Sequence, residues 1–270
     1  LSSAEQEVLS KTSVFRGGCT REAAEAVTDA TLPLLASLVD KALVRRARSG
    51  RYEMHELLRQ FAMAQLKLAP DAHEQIQDKH CTYFAAFVEQ RILAFKTGQQ
   101  KESLVAFTTD IDNIRSAWNS AIACENWQAV AQMAECFWIL GEYQGALRER
   151  EVALQQAVTV LRTISAQTEE TILKTEQEQL SGFLLAEQGY LCGRQSKYDQ
   201  GIVLAEQGLA LLRQTKNPDP WKEAMILMYL SFTMLFQGRI TESRQVAQEG
   251  LALFSKLSRS KFQVLRENSG

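Results

Sequence analysis

Proline is scarce in this sequence, four residues in 270, so little in the chain would interrupt a helix. No glycine is followed by lysine, which excludes a GxxxxGK[ST] phosphate-cradling loop, and the chain by itself is not expected to cleave a nucleoside triphosphate. A GxSxG elbow, an HExxH pair and a Cys-x-x-Cys pair are also missing, so no catalytic residue and no metal ligand stands out. The five cysteines (Cys19, Cys81, Cys124, Cys136, Cys192) are odd in number and scattered, as reduced thiols of a cytoplasmic protein would be. The longest apolar run, Ala224 to Gly238, contains Ser231, Thr233 and Gln237 and falls short of the roughly 20 residues a membrane span needs. It reads as a buried helix. A net charge of −2 argues against a chain that coats nucleic acid, although a local basic patch stays open.

What remains is abundant Ala, Leu, Gln and Glu, and the chain should be almost all helix. Its length allows roughly two domains. It opens on a helix start already under way, which reads as a piece of something longer. Ser2 and Glu5 fit a capping box, and the helix they start carries Val8, Leu9 and Val14 as far as Gly17-Gly18. Thr20 can cap a second helix rich in small residues. A third follows Thr31, with Pro33 in its first turn. Leu43 to Arg46 and Tyr52 to Met54 alternate as two short strands around Ser49-Gly50. Then Leu57, Leu58, Phe61, Ala62, Leu66 and Leu68 form an apolar stripe at helical spacing. Three helices, a hairpin and a closing helix make a winged-helix domain, residues 1–68.

His55 stands where the second strand runs into that closing helix. A helix start presents unpaired N–H groups, so an imidazole donor there would complete an anion site; the alternative is local packing on a backbone carbonyl. DNA reading finds little support. The third helix offers Leu32, Leu34, Leu35, Leu38 and Val39 with only Lys41 as a base, and few of these reach base edges. Arg45, Arg46, Arg48 and Arg51 of the hairpin could touch phosphates, which positions a protein without specifying sequence.

Residues 69–126 read as a helical connecting region broken at Gly98. His73, His80 and Cys81 invite a metal reading, but two histidines seven apart lie about 10 Å from each other along a helix. Asp110, Asp112 and Asn113 lack the central glycine and bidentate glutamate of a calcium loop and read as a polar helix start. Residues 127–270 repeat. Ala134 to Leu154, Gly189 to Leu209 and Ser231 to Leu251 each place a polar turn, then small residues (Ala146, Gly201, Ser243; Ala153, Gly208, Gly250) at matched positions. The turns would be Gly141-Glu142-Tyr143, Ser196-Lys197-Tyr198 and Gly238-Arg239-Ile240, with Arg162 to Gln179 as a long connection. Such hairpins stack as tetratricopeptide-like (TPR-like) units. The fold class expected is mostly α: a winged helix with one short β-hairpin, then a right-handed TPR-like solenoid. Its concave face should carry Trp138, Arg194, Phe232 and Phe236, suited to a peptide or small ligand, although for Phe232 and Phe236 core burial is the favoured reading, since the helix Ala224 to Gln237 is apolar nearly all round.

The runs Ser13 to Gly18 (SVFRGG), Leu34 to Val44 (LLASLVDKALV) and Tyr52 to Ala62 (YEMHELLRQFA) resemble the winged-helix module of STAND signal-transduction ATPases, a class that includes bacterial transcriptional regulators and NB-ARC switches. The DIDNIRSAW stretch, Asp110 to Trp118, resembles the segment that follows this module in many bacterial members. The NB-ARC branch carries Met-His-Asp at the place of Met54, His55 and Glu56, and its histidine contacts the β-phosphate of ADP. The resemblance thus implies nucleotide sensing by His55, while Glu56 departs from the aspartate. It further implies an upstream nucleotide-binding domain as partner, ADP or ATP in the intact protein but no cofactor in this portion, and an inducer or protein partner on the arm. Two alternatives stay open: an interaction scaffold without nucleotide switching, and a winged-helix DNA-binding regulator.

Overall fold

The computed structural model describes residues 1–267, the last ten of them as backbone only. Thirteen helices and one two-stranded antiparallel sheet occur among the described residues, so the protein is mostly helical. The chain divides into two compact units, Leu1–Cys136 and Phe137–Gly270.

In the first unit, helix α1 (Ser3–Thr12) is fixed by its expected capping box. Glu5 N–H donates to Ser2 Oγ at 3.3 Å, and Ser2 N–H donates to Glu5 Oε2 at 2.7 Å. The helix ends before Val14, which is buried in the following loop with Phe15. Thr20 Oγ1 caps α2 (Arg21–Thr28), where Ala23, Ala24 and Val27 are buried. Helix α3 (Leu32–Asp40) holds Pro33 near its start and buries Leu35 and Leu38. Strands β1 (Arg45–Arg46) and β2 (Tyr52–Glu53) pair with Arg45 opposite Glu53 and Arg46 opposite Tyr52. Cys19 joins them, exchanging both backbone hydrogen bonds with Tyr52 at 2.9 and 2.8 Å. Gly18 makes that approach possible. Its φ of +80° is one that L side chains rarely adopt, and a Cβ there would lie 2.6 Å from the Tyr52 carbonyl oxygen.

Helix α4 (Glu56–Lys67) packs on α1, and the expected apolar stripe splits into two rows. Ala62 and Leu66 are buried, whereas Leu57, Phe61 and Leu68 are 70, 61 and 76% exposed. Residues 58, 62 and 66 form one i, i+4 row and 57, 61 and 68 the adjacent one, and only the first faces the core. Helix α5 (Pro70–Lys96) packs against α2 and α4, then against α6 (Gln100–Thr109) and α7 (Ile111–Ala123). The break at Gly98, φ +107°, falls where expected.

Helix α8 (Trp127–Gln144) precedes α9 (Leu147–Gln167), α10 (Thr171–Arg194), α11 (Tyr198–Gln214), α12 (Pro220–Phe236) and α13 (Ile240–Glu267). In the second unit α10 packs on α11 and α12 on α13, while α10 and α11 both meet α12. That neighbour-on-neighbour order is the arrangement of a TPR-like helical array. Glycine sets the closest crossing: a Cβ on Gly189 would lie 2.4 Å from the Gly201 carbonyl oxygen, and one on Gly182 would lie 2.6 Å from that of Gly208. Residues 179–193 of α10 are buried without a break, because α9, α11 and α12 cover different sides. Two expectations give way. Gly141, Glu142 and Tyr143 lie inside α8, and the turn is at Gly145 and Ala146, both with positive φ. Arg162 to Gln179 is no long connection, since α9 runs to Gln167 and α10 starts at Thr171; Glu, Gln and Leu are good helix formers, and Gln177 and Gln179 pack inside. The expected solenoid ran to residue 270, and its last three residues lie outside the described ones.

Candidate functional site

His55 is the N-cap of α4, with extended backbone (φ −61°, ψ 137°). Its Nδ1 accepts a hydrogen bond from the Leu57 N–H at 3.3 Å. A neutral imidazole that accepts at Nδ1 carries its proton at Nε2. The side chain is exposed, so a donor stands outward at the start of a helix. Glu56 does not share in the cap. Arg59 grips its carboxylate twice at 2.8 Å and Gln60 adds a third bond at 2.9 Å. Those bonds, with that from Arg59 first, hold Glu56 down at about 2. Arg59 in turn donates to the Ser13 carbonyl at 3.2 Å, tying α4 to the loop after α1. Between that loop and the hairpin lies a pocket of about 230 Å³ lined in part by Gly18, Tyr52, Met54, Glu56 and Arg59.

The polar start of α7 closes the same region from the other side. Arg51 donates to both carboxylate oxygens of Asp110, at 3.1 and 2.7 Å, and to the Gly18 carbonyl at 2.9 Å. Asn113 donates to the Gly18 carbonyl and to Asp110, each at 2.9 Å, and accepts from the Arg16 N–H at 2.7 Å. Arg51 is therefore withdrawn from the hairpin's exposed face, and Arg45 pairs with Glu53, leaving Arg46 and Arg48 exposed there. From sequence Asp110 and Asn113 read only as a polar helix start, because the distant partners that fix them, Arg51, Arg16 and Gly18, lie more than fifty residues away.

His80 and Cys81 are core residues. The His80 ring lies 5.5 Å from Phe15 and 4.7 Å from Phe84, and burial pushes its imidazole down to about 4. Cys81 donates weakly to the Ala117 carbonyl at 3.5 Å.

In the second unit the four residues expected on the arm's ligand face converge. Trp138 and Tyr190 flank Tyr229, with ring centroids 6.3 and 5.5 Å from it. Phe232 and Phe236 each lie 6.3 Å from Tyr190 and stack on one another at 16°. The Arg194 guanidinium lies 5.2 Å from the Phe236 ring centre. One oxygen of Glu142 accepts from Tyr190 Oη at 2.5 Å and from Arg194 Nε at 2.7 Å. Burial and that carboxylate push the Tyr190 phenol above its ordinary range, so it stays a donor. Phe232 and Phe236 are 38 and 37% exposed, neither core nor free, and Leu235 beside them is 47% exposed. Sequence reasoning missed Tyr190 and Glu142. Tyr190 sits one turn before Arg194, an i, i+4 relation that could have flagged it.

No protein-family model matches the chain, and no curated protein matches it. Among solved structures, a signal transduction ATPase with numerous domains (STAND) with a tetratricopeptide repeat sensor, from Pyrococcus horikoshii, aligns at a TM-score of 0.33 and 14% identity. The alignment covers 96% of this chain and 45% of that one, so this chain spans less than half that protein's length. At that TM-score the likeness does not by itself establish a shared fold. Among the described residues no helix is long and apolar enough to cross a membrane.

Proposed function

We propose that this chain is the regulatory and sensing portion of a STAND-type signal-transduction ATPase. Its N-terminal helices and hairpin act as a winged helix that closes on a nucleotide held by another domain, and its TPR-like arm takes an inducer or protein partner. Transcription is the expected output. The observation that carries the reading is His55: an N-cap whose Nδ1 is occupied by Leu57 N–H has only its Nε2–H to offer, and it offers it at a helix start. A β-phosphate is a suitable acceptor, and release of that contact would shift the protein from a closed, ADP-held state to an open one. This portion holds no catalytic role in that scheme. Adenine nucleotide belongs to the intact protein.

Replacing His55 by Ala in the intact protein tests it. Loss of one hydrogen bond to a charged oxygen, about 1.5–3 kcal/mol, should speed ADP release by roughly 10- to 150-fold. Release unchanged in that variant removes His55 from the mechanism. A second reading, an interaction scaffold without nucleotide switching, is favoured by the half-exposed Phe232–Phe236 stack; absence of nucleotide from the purified intact protein would select it. DNA reading by α3 gains nothing, since Leu32, Pro33 and Ala36 are among its exposed residues.

A further inference from the structure

Beside α4 the first unit holds a further cleft, bounded by α5 and α7, that shares Glu56 and Arg59 with the pocket beside the hairpin. Its larger part, about 720 Å³, is lined by Gln77 of α5, by Arg115, Ser116, Asn119 and Ser120 of α7, and by Glu56 and Asp112. Its smaller part, about 370 Å³, is lined by Lys67 and Met63 of α4 and by His73 and Gln77 of α5. Arg16 and Arg59 line both parts.

The charges are distributed unevenly. Both carboxylates of the larger part are already held by arginines, Glu56 by Arg59 and Asp112 by Arg115, each at 2.8 Å. The smaller part has no carboxylate. Arg16 and Lys67 have no ion-pair partner among the described residues, and both side chains are exposed. Burial, helped by the nearby Lys67, holds the His73 imidazole below its ordinary value. In a protein of net charge −2, one pocket thus collects the unpaired Arg16 and Lys67, beside an Arg59 already held by Glu56, around a space free of acids. The adjoining space offers amides and hydroxyls.

We infer that this cleft binds a phosphate monoester of a small, hydroxyl-rich molecule, with the phosphoryl group in the part lined by Arg16, Arg59 and Lys67 and the polar remainder against Gln77, Ser116, Asn119 and Ser120. Arginine and lysine donors suit a dianionic phosphoryl group. Side-chain amides and hydroxyls supply both donors and acceptors, as a polyol requires. The site does not use His55, although it shares Glu56 and Arg59 with the first turn of α4 that His55 caps.

Titration calorimetry on the full chain at low salt tests this, with inorganic phosphate, glucose 6-phosphate and glucose as probes. Phosphate should bind saturably, glucose 6-phosphate more tightly, and glucose not at all. Arg16→Gln and Lys67→Gln should each weaken glucose 6-phosphate about tenfold, the effect of losing one charged hydrogen bond, while Arg48→Gln on the hairpin turn should change nothing. Neither cleft variant removes a hydrogen bond made by its side chain, so circular dichroism melts should match the parent. No saturable phosphate binding at about 10 mM, where even a Kd of about 1 mM would register, overturns the inference. So does binding that survives both cleft substitutions. Glucose 6-phosphate no tighter than phosphate overturns the assignment of the larger part, and a phosphoserine peptide tighter than the sugar phosphate overturns the small-molecule class.

Discussion

Replacing Asp110 by Ala should be among the most damaging single changes in the first unit. Its side chain is 8% exposed and that of Arg51 11%, so their pair is nearly dry. The change removes two hydrogen bonds from Arg51 and one from Asn113, and leaves the guanidinium with the Gly18 carbonyl as its remaining acceptor. Breaking a buried pair by removing one partner costs about 3–5 kcal/mol. The residual exposure of Arg51 and its surviving bond favour the low end, about 3 kcal/mol. Asp110→Asn keeps an acceptor of the same shape and should cost less, about 1–2 kcal/mol. The double variant Arg51→Met, Asp110→Leu removes the stranded charge and should recover part of the loss. Urea unfolding followed by circular dichroism reads all three, with the slope m checked for constancy. A cost below about 1 kcal/mol for Asp110→Ala, the ordinary value of a surface ion pair, would refute the claim that this network ties the hairpin to α7.

Three further outcomes follow from the packing and charge of other buried groups. Gly189→Ala separates two opposed effects: helix propensity alone would stabilise by about 1 kcal/mol, whereas a Cβ 2.4 Å from the Gly201 carbonyl oxygen forces α10 from α11 and should destabilise by about 1–3 kcal/mol net, so the sign in a thermal melt decides. His80 is depressed from 6.5 to about 4 by burial, so below pH 6.5 the unfolded chain takes a proton the native one refuses; stability should fall by about 3 kcal/mol as pH drops across that window, and His80→Leu should flatten the pH profile of the urea midpoint. Glu5, held at about 2 by Lys41, then Ser37 and the Ser2 N–H, adds stability complete above pH 4.5 and lost as pH falls toward 2; Lys41→Ala should shift that loss to higher pH in an acid titration.

Local chemistry made much of the fold legible. Ser2 with Glu5, Thr20 and Pro33 mark helix starts through hydrogen bonds or a fixed φ within three residues, and all three stand where expected. Gly201 and Gly208 betray a close crossing because only glycine fits one. What escaped depends on distance. The outward row of α4 could not be told from the inward one, since amphipathic spacing says which residues share a face and not whether a neighbour covers it. Arg51 looked like its exposed neighbours, because nothing local distinguishes an arginine that finds Asp110 from one that finds water. Trp138, Arg194, Phe232 and Phe236 were legible as a group through repeat position, yet the carboxylate that joins Tyr190 to Arg194 comes from Glu142, in a stretch expected to be a turn.

The positions that hold the molecule together and those offered for function therefore differ in kind, and that difference makes the functional tests interpretable. Asp110, Asn113, Gly189 and His80 are buried and packed against their neighbours, so any loss of activity on changing them is first a loss of fold. His55, Arg16 and Lys67 are exposed, and among their side-chain hydrogen bonds only the His55 cap is intramolecular. That cap has a measurable price of its own, since removing a side-chain cap costs about 0.5–2 kcal/mol of stability. His55→Asn restores a capping acceptor to the Leu57 N–H while abolishing the imidazole donor. If His55→Asn melts like the parent yet releases ADP as fast as His55→Ala, the histidine acts on nucleotide. If His55→Asn retains ADP like the parent, capping α4 is its whole contribution.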